Sequence, residues 1–193
     1  SDLHLGKSIS MNNNGHVIPT YDLNETIFKL KRIIKKYKPL KVILLGDNFH
    51  DKYSILHLNN KFLNQLKEIT KVVQFIWIYG NHDEELMRKD KIYGKFVKNY
   101  IEKKLFFTHI KKKRNSYFEF SGHFHPKTYI LVNNSRFYYK CFVLGKDFCI
   151  LPSFGPYTGG LDVKSHALKK VIDGDADLII LGKRKIKQRK YCI

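Results

Sequence analysis

The 193 residues, 43% of them hydrophobic, are enough to bury a sizeable core in one domain. A formal charge of +19, from 36 Lys and Arg against 17 Asp and Glu, favours polyanionic partners; only six of the 36 are Arg, a bias that an AT-rich genome also produces. No apolar run approaches the roughly 18 residues that span a bilayer, and no signal-peptide pattern is present. Cys141, Cys149 and Cys192 form no C-x-x-C pair, which argues against a thiolate zinc site and a disulfide framework and for a reducing, cytoplasmic setting.

The chain opens on Ser1-Asp2-Leu3-His4, without Met and without a strand before its first motif, so a lost N-terminal strand is expected. Residues 7 to 20, with Asn12-Asn13-Asn14-Gly15 and Pro19, read as a loop. Asp22 or Asn24 caps a predicted helix through about Tyr37, with Ile27, Leu30, Ile33 and Ile34 at helical spacing and Pro39 beyond its end. Lys41 to Leu45 is a short buried strand. His57 to Thr70 is a second helix, with Leu58, Phe62, Leu66 and Ile69 on one face. Val72 to Tyr79 is the next buried strand. Strands follow at 105–108, 117–121, 128–132, 137–144 and 148–151, and two more are expected within 178–191. Early alternation and a later run of strands predict a layered sheet fold with helices outside.

Five polar motifs fall at the expected strand ends: Asp2-x-His4, Gly46-Asp47-Asn48-Phe49-His50, Gly80-Asn81-His82-Asp83, Thr108-His109 and Gly122-His123-Phe124-His125. Open α/β sheets place their sites at the carboxyl ends of strands. Any one motif alone reads as a turn or a pair of strand-end histidines. Together they collect six of the nine histidines and leave His16, His57 and His166 to the surface or to packing. Carboxylate, amide oxygen and imidazole suit a borderline divalent metal such as Mn, Fe or Zn. Two such ions can share a carboxylate and activate water for in-line attack on phosphorus. No covalent nucleophile with a paired base is evident.

These motifs, in this order, resemble those of the calcineurin-like metallophosphoesterases. The resemblance implies an α/β fold, a four-layer α/β/β/α sandwich of two mixed sheets flanked by helices, with residues 1–193 as one domain. It implies two divalent metals, most simply Mn. One would take Asp2, His4, Asp47 and His125; the other would take Asp47, Asn81, His109 and His123. His82 would serve the substrate phosphate as acid or charge stabiliser, Asp83 would orient His82, and His50 would make a further polar contact. Lipid A pathway pyrophosphatases of this class carry GNRD at the third motif, where this chain has Gly80-Asn81-His82-Asp83.

A closer resemblance, to the bacterial PdeM group of ligase-associated DNA damage response endonucleases or phosphodiesterases, rests on His4-Leu5-Gly6-Lys7, Ile18-Pro19, GDNFH at 46–50, GHFHP at 122–126 and LPSFGPYTGGLDV at 151–163. It implies a phosphodiesterase acting on DNA, with DNA-repair proteins as partners and no membrane. A small-molecule phosphatase, a cyclic-nucleotide phosphodiesterase or a non-catalytic scaffold are the alternatives. The Lys111-Lys112-Lys113-Arg114 run beside His109 is expected to meet phosphates.

Overall fold

The computed structural model describes residues 1–83, 92–112 and 116–191. The early elements are α1 (Lys7–Asn13), α2 (Asp22–Tyr37), β1 (Lys41–Leu45), α3 (Ser54–His57), α4 (Asn60–Val72) and β2 (Gln74–Ile78). Then come β3 (Lys95–Val97), β4 (Asn99–Glu102), β5 (Leu105–Thr108), β6 (Phe118–Ser121), β7 (Lys127–Val132), β8 (Ser135–Gly145) and β9 (Phe148–Ile150). The chain closes with α5 (His166–Val171), β10 (Ala176–Leu181) and β11 (Ile186–Tyr191).

Two sheets form. The smaller has the order β1-β2-β3, and its described pairs are parallel. The larger is mixed, in the order β11-β10-β8-β9-β6-β5-β4, with β7 pairing β8. On the smaller sheet, Leu23, Ile27 and Leu30 of α2 and Phe62, Leu66 and Ile69 of α4 share a buried cluster with Leu44, Phe75 and Trp77. Their spacing puts each apolar set on one helical face, and burying a Leu or Ile side chain contributes about 1.5–3 kcal/mol. The larger sheet has its own cluster, where Val143, Ile150, Leu178 and Ile180 enclose Leu168 of α5. Helices thus flank a pair of sheets, as expected. Cys141 and Cys149 are buried, and burial pushes their thiols up to about 12 and about 11, which makes them poor nucleophiles.

Some elements differ from the sequence reading. Residues 7–13 are helical rather than a loop. Ser and Asn give this segment little intrinsic helicity; a tertiary bond holds it, for Asp22 accepts from the Ser8 amide at 3.3 Å and from the Ser8 hydroxyl. Asp22 is therefore not a cap: Tyr21 takes that position without a side-chain bond. The helix expected over 57–70 is split, because Asn59 stops the short α3 and caps α4 by accepting from the Phe62 amide at 2.8 Å. β3, β4 and α5 were not foreseen; at three, four and six residues they are too short to show a period.

Candidate metal centre

The motifs follow β1, β2, β5 and β6, and the chain start runs in parallel beside the first of them. Asp2 N donates to Gly46 O (3.1 Å), His4 N to Asp47 O (3.0 Å) and Leu5 N to Asn48 O (2.9 Å). On its other side the same segment is held by residues 152–155: Phe154 N donates to Ser1 O (2.9 Å), Gly155 N to Asp2 O (3.2 Å) and the Ser1 hydroxyl to Pro152 O (3.0 Å). Further along, Leu161 N reaches Phe124 O (3.3 Å) and Lys127 N reaches Leu161 O (2.9 Å). The LPSFGPYTGGLDV segment therefore ties the first ligand motif to the last.

Donor atoms of Asp2, His4, Asp47 and His125 all lie within 4.8 Å of one another. So do those of Asp47, His109 and His123. Asp47 belongs to both groups, with Oδ2 at 3.4 Å from His109 Nε2 and 4.0 Å from His4 Nε2. Asn81 is exposed and lines a cleft of about 140 Å³ together with His109. The fourth and fifth motifs meet where His123 Nδ1 stands 3.1 Å from His109 Nε2. The His4 and His125 ring centroids are 5.5 Å apart.

Polar atoms at this site lack protein partners. Both ring nitrogens of His4, Nδ1 of His50 and Nε2 of His125 are buried with no hydrogen bond. His125 Nε2 lies only 3.1 Å from Asp2 Oδ1 and still makes none. His109 faces Leu45 O through Nδ1 at 2.8 Å. That contact calls for a proton on Nδ1 and leaves the Nε2 lone pair toward Asp47 and His123. Burial pushes His4 down to about 4 against the pull of Asp47 and Asp2, which keeps its ring neutral. Burial alone would raise Asp47, but His109, the His82 amide and His4 hold its carboxyl well below the usual range. Imidazoles and carboxylates converging with several buried ring nitrogens left without hydrogen bonds are what a divalent cation requires, so the residues fit such ions.

Backbone strain is concentrated here. Among the described residues, nine non-glycine residues have positive φ, and five of them are Asp2, His4, Asp47, His123 and His125. Each such conformation costs on the order of 1–3 kcal/mol and persists only where surrounding contacts enforce it. Gly46, at φ 80°, and Gly80 allow the close approach: a Cβ would lie 2.4 Å from His109 Nδ1 at the first and 2.2 Å from Asp47 Oδ1 at the second.

His82 is exposed at the rim, its ring 5.7 Å from that of His4 and 6.0 Å from that of His50. Its amide donates to Asp47 Oδ1 at 3.2 Å. The expected orientation of His82 by Asp83 is not what the structure shows. Asp83 is buried and accepts from the amides of Asn48, Phe49 and Gly80 and from Asn48 Nδ2, at 2.9–3.1 Å. Burial, with the nearby Asp47 charge, pushes its carboxyl up while the three amide donors pull it down. It braces the second motif against the third. Asp83→Ala strands these donors and is expected to lower stability by on the order of 3 kcal/mol. A chemical denaturation curve checks this; an unchanged midpoint with lost turnover would return Asp83 to a catalytic role.

Two positioning residues were not foreseen. Asn48 donates to Ile78 O (2.9 Å) and to Asp83; it sits inside a motif whose spacing does not reveal this task. Lys140 donates to Ser153 O (2.7 Å) and Gly155 O (2.9 Å), and burial lowers its ammonium to about 8; a Lys within a strand pattern gives no signal of this. The described residues of the basic run beside His109 differ in setting. Lys111 turns inward over the Phe148 ring, 3.7 Å from Asp173; Lys112 is exposed, and Lys113 and Arg114 lie outside the described residues. His16, His57 and His166 are exposed.

Fold and site define a metal-dependent phosphoesterase, a hydrolase. The chain belongs to the calcineurin-like phosphoesterase family, whose model matches residues 1–182. The crystal structure of Pseudomonas putida nuclease MPE is similar, with a TM-score of 0.70 over 97% of this chain and 84% of that one, at 20% identity. A comparison with curated proteins gives no match. No helix among the described residues is long and apolar enough to cross a membrane.

Proposed function

We propose that the protein is a two-metal phosphodiesterase acting on DNA, with Mn as its preferred ion. The observation that carries this reading is the pair of donor groups sharing Asp47 beside an exposed His82. Asp2, His4, Asp47 and His125 hold one ion, and Asp47, Asn81, His109 and His123 hold the other. When bound, the ions supply Lewis-acid charge to the phosphoryl oxygens and activate water. His82 stands where it can give a proton to the leaving oxygen, and His50, close behind it, offers a polar contact to the phosphate. Imidazole with carboxylate favours Mn, Fe or Zn over the harder Mg.

A polynucleotide is favoured by the +19 charge and by Lys98 and Lys112, which line the Asn81–His109 cleft. The structural neighbour is itself named a nuclease. A link to DNA repair rests on the PdeM-like segment at 151–163, whose task here is to hold the first and last motifs together. The test compares single-stranded DNA, duplex DNA and a small chromogenic diester, with chelator, Mn or Mg. Mn is expected to restore turnover best after chelation. Oligonucleotide binding should weaken with salt at a log–log slope of about −0.7 per phosphate contact for a single strand. A salt-insensitive enzyme that preferred small monoesters would overturn the substrate while leaving the metal site standing.

A further inference from the structure

Beside His125 a cleft of about 210 Å³ opens, lined also by Lys127, Tyr138, Thr158 and Gly159. It leads onto one face of the β7–β8 hairpin. Side chains alternate along a strand, so Lys127, Tyr129 and Leu131 share this face. Their partners across the ladder, Lys140, Tyr138 and Arg136, share it too. Lys140 is committed to the 151–163 segment. The others form a chain of contacts: Lys127 Nζ lies 5.1 Å from the Tyr138 ring centroid, Tyr138 packs edge-on to Tyr129 at 5.8 Å, and Arg136 sits 4.8 Å over Tyr129. Tyr138 is nonetheless 49% exposed. Cations and aromatic rings thus alternate on a surface that begins at a candidate metal ligand.

Cation–ring pairs with exposed rings also occur at Lys36–Tyr37 and Lys52–Tyr53; the hairpin group differs in being a continuous series that runs on from a candidate metal ligand. Nucleobases stack on such rings whatever their sequence, while phosphates meet the interleaved cations. A duplex keeps its bases stacked inside and offers no such ring contact. We propose that this hairpin face is a binding track for single-stranded nucleic acid, feeding the strand past Lys127 to the metal centre. The inference rests on the polynucleotide reading above. It adds the form of the substrate and the surface that receives it.

Fluorescence anisotropy with a labelled single strand, read alongside cleavage of that strand and turnover of a small diester, tests the track. Tyr138→Ala is expected to weaken binding roughly 5- to 100-fold, the effect of losing one stacked base. It should also lower the ratio of strand cleavage to small-diester turnover. Tyr138→Phe keeps the ring and should bind like the unaltered protein, and Arg136→Gln should reduce the salt slope by about 0.7. Lys31→Gln, an exposed residue of α2, is the control for bulk charge. Should Tyr138→Ala bind and cleave the strand as the unaltered protein does, or lose no more than Lys31→Gln, the track is wrong and the polynucleotide reading survives. Should the unaltered protein turn over the small diester yet neither bind nor cleave a strand, the polynucleotide reading itself falls and the track with it.

Discussion

Asp47→Asn is expected to reduce turnover of a small chromogenic diester by about 10³-fold or more, and to lower bound metal from two ions per chain. The side chain keeps its shape and loses its charge, so the fold should survive. Asp47 is the one carboxylate common to both donor groups, and its Oδ2 faces His4 on one side and His109 on the other. Its neighbours already hold it ionised against burial. Lewis-acid stabilisation of a phosphoryl transition state amounts to several kcal/mol, and each ~1.4 kcal/mol is tenfold in rate. Metal content by elemental analysis separates the causes. A variant that keeps two ions and near-normal turnover would show that Asp47 does not bridge the groups.

His82→Asn, by contrast, is expected to keep both ions and still lose roughly 10²- to 10⁴-fold in turnover, the range for general acid catalysis. His82 is exposed at the rim and reaches Asp47 only through its backbone amide, so the ring is not needed to hold the carboxylate. The His50 ring stacks near it, with centroids 6.0 Å apart. The loss should grow as the leaving group becomes more basic, since a poor leaving group depends most on the proton. A series of diesters with graded leaving groups checks this. An equal loss across the series would reassign His82 to binding the phosphate, and no loss would reassign it to structure.

Much of the site was legible in the sequence because its chemistry is local. Four of the five motifs are short polar turns at the ends of strands. β1, β2 and β5 end at or within one residue of the end of their apolar runs. Helices α2 and α4 were readable for a similar reason: their apolar residues recur on one face over three turns or more. What escaped was held by contacts between distant segments. Helix α1 depends on the Ser8–Asp22 bond across 14 residues, and no pattern within 7–13 announces it.

The role of Asp83 shows the boundary most clearly. Sequence alone placed a carboxylate beside a histidine, and adjacency suggested that one orients the other. Only the fold brings Asn48 and Phe49 within hydrogen-bond distance of that carboxylate and commits it to them. By itself the sequence determined which side chains could meet a cation, since donor identity is a property of residue type. It also determined where most strands stop, since that follows from short-range hydrophobic pattern. Tertiary structure decided which donors come within reach of one another, which carboxylate braces the loops instead, and which cations are drawn inward. Lys140 and Lys111 are turned inward while Lys127 and Arg136 face the cleft and the hairpin surface. Burial and pairing separate these four residues, and both depend on segments far apart in the chain.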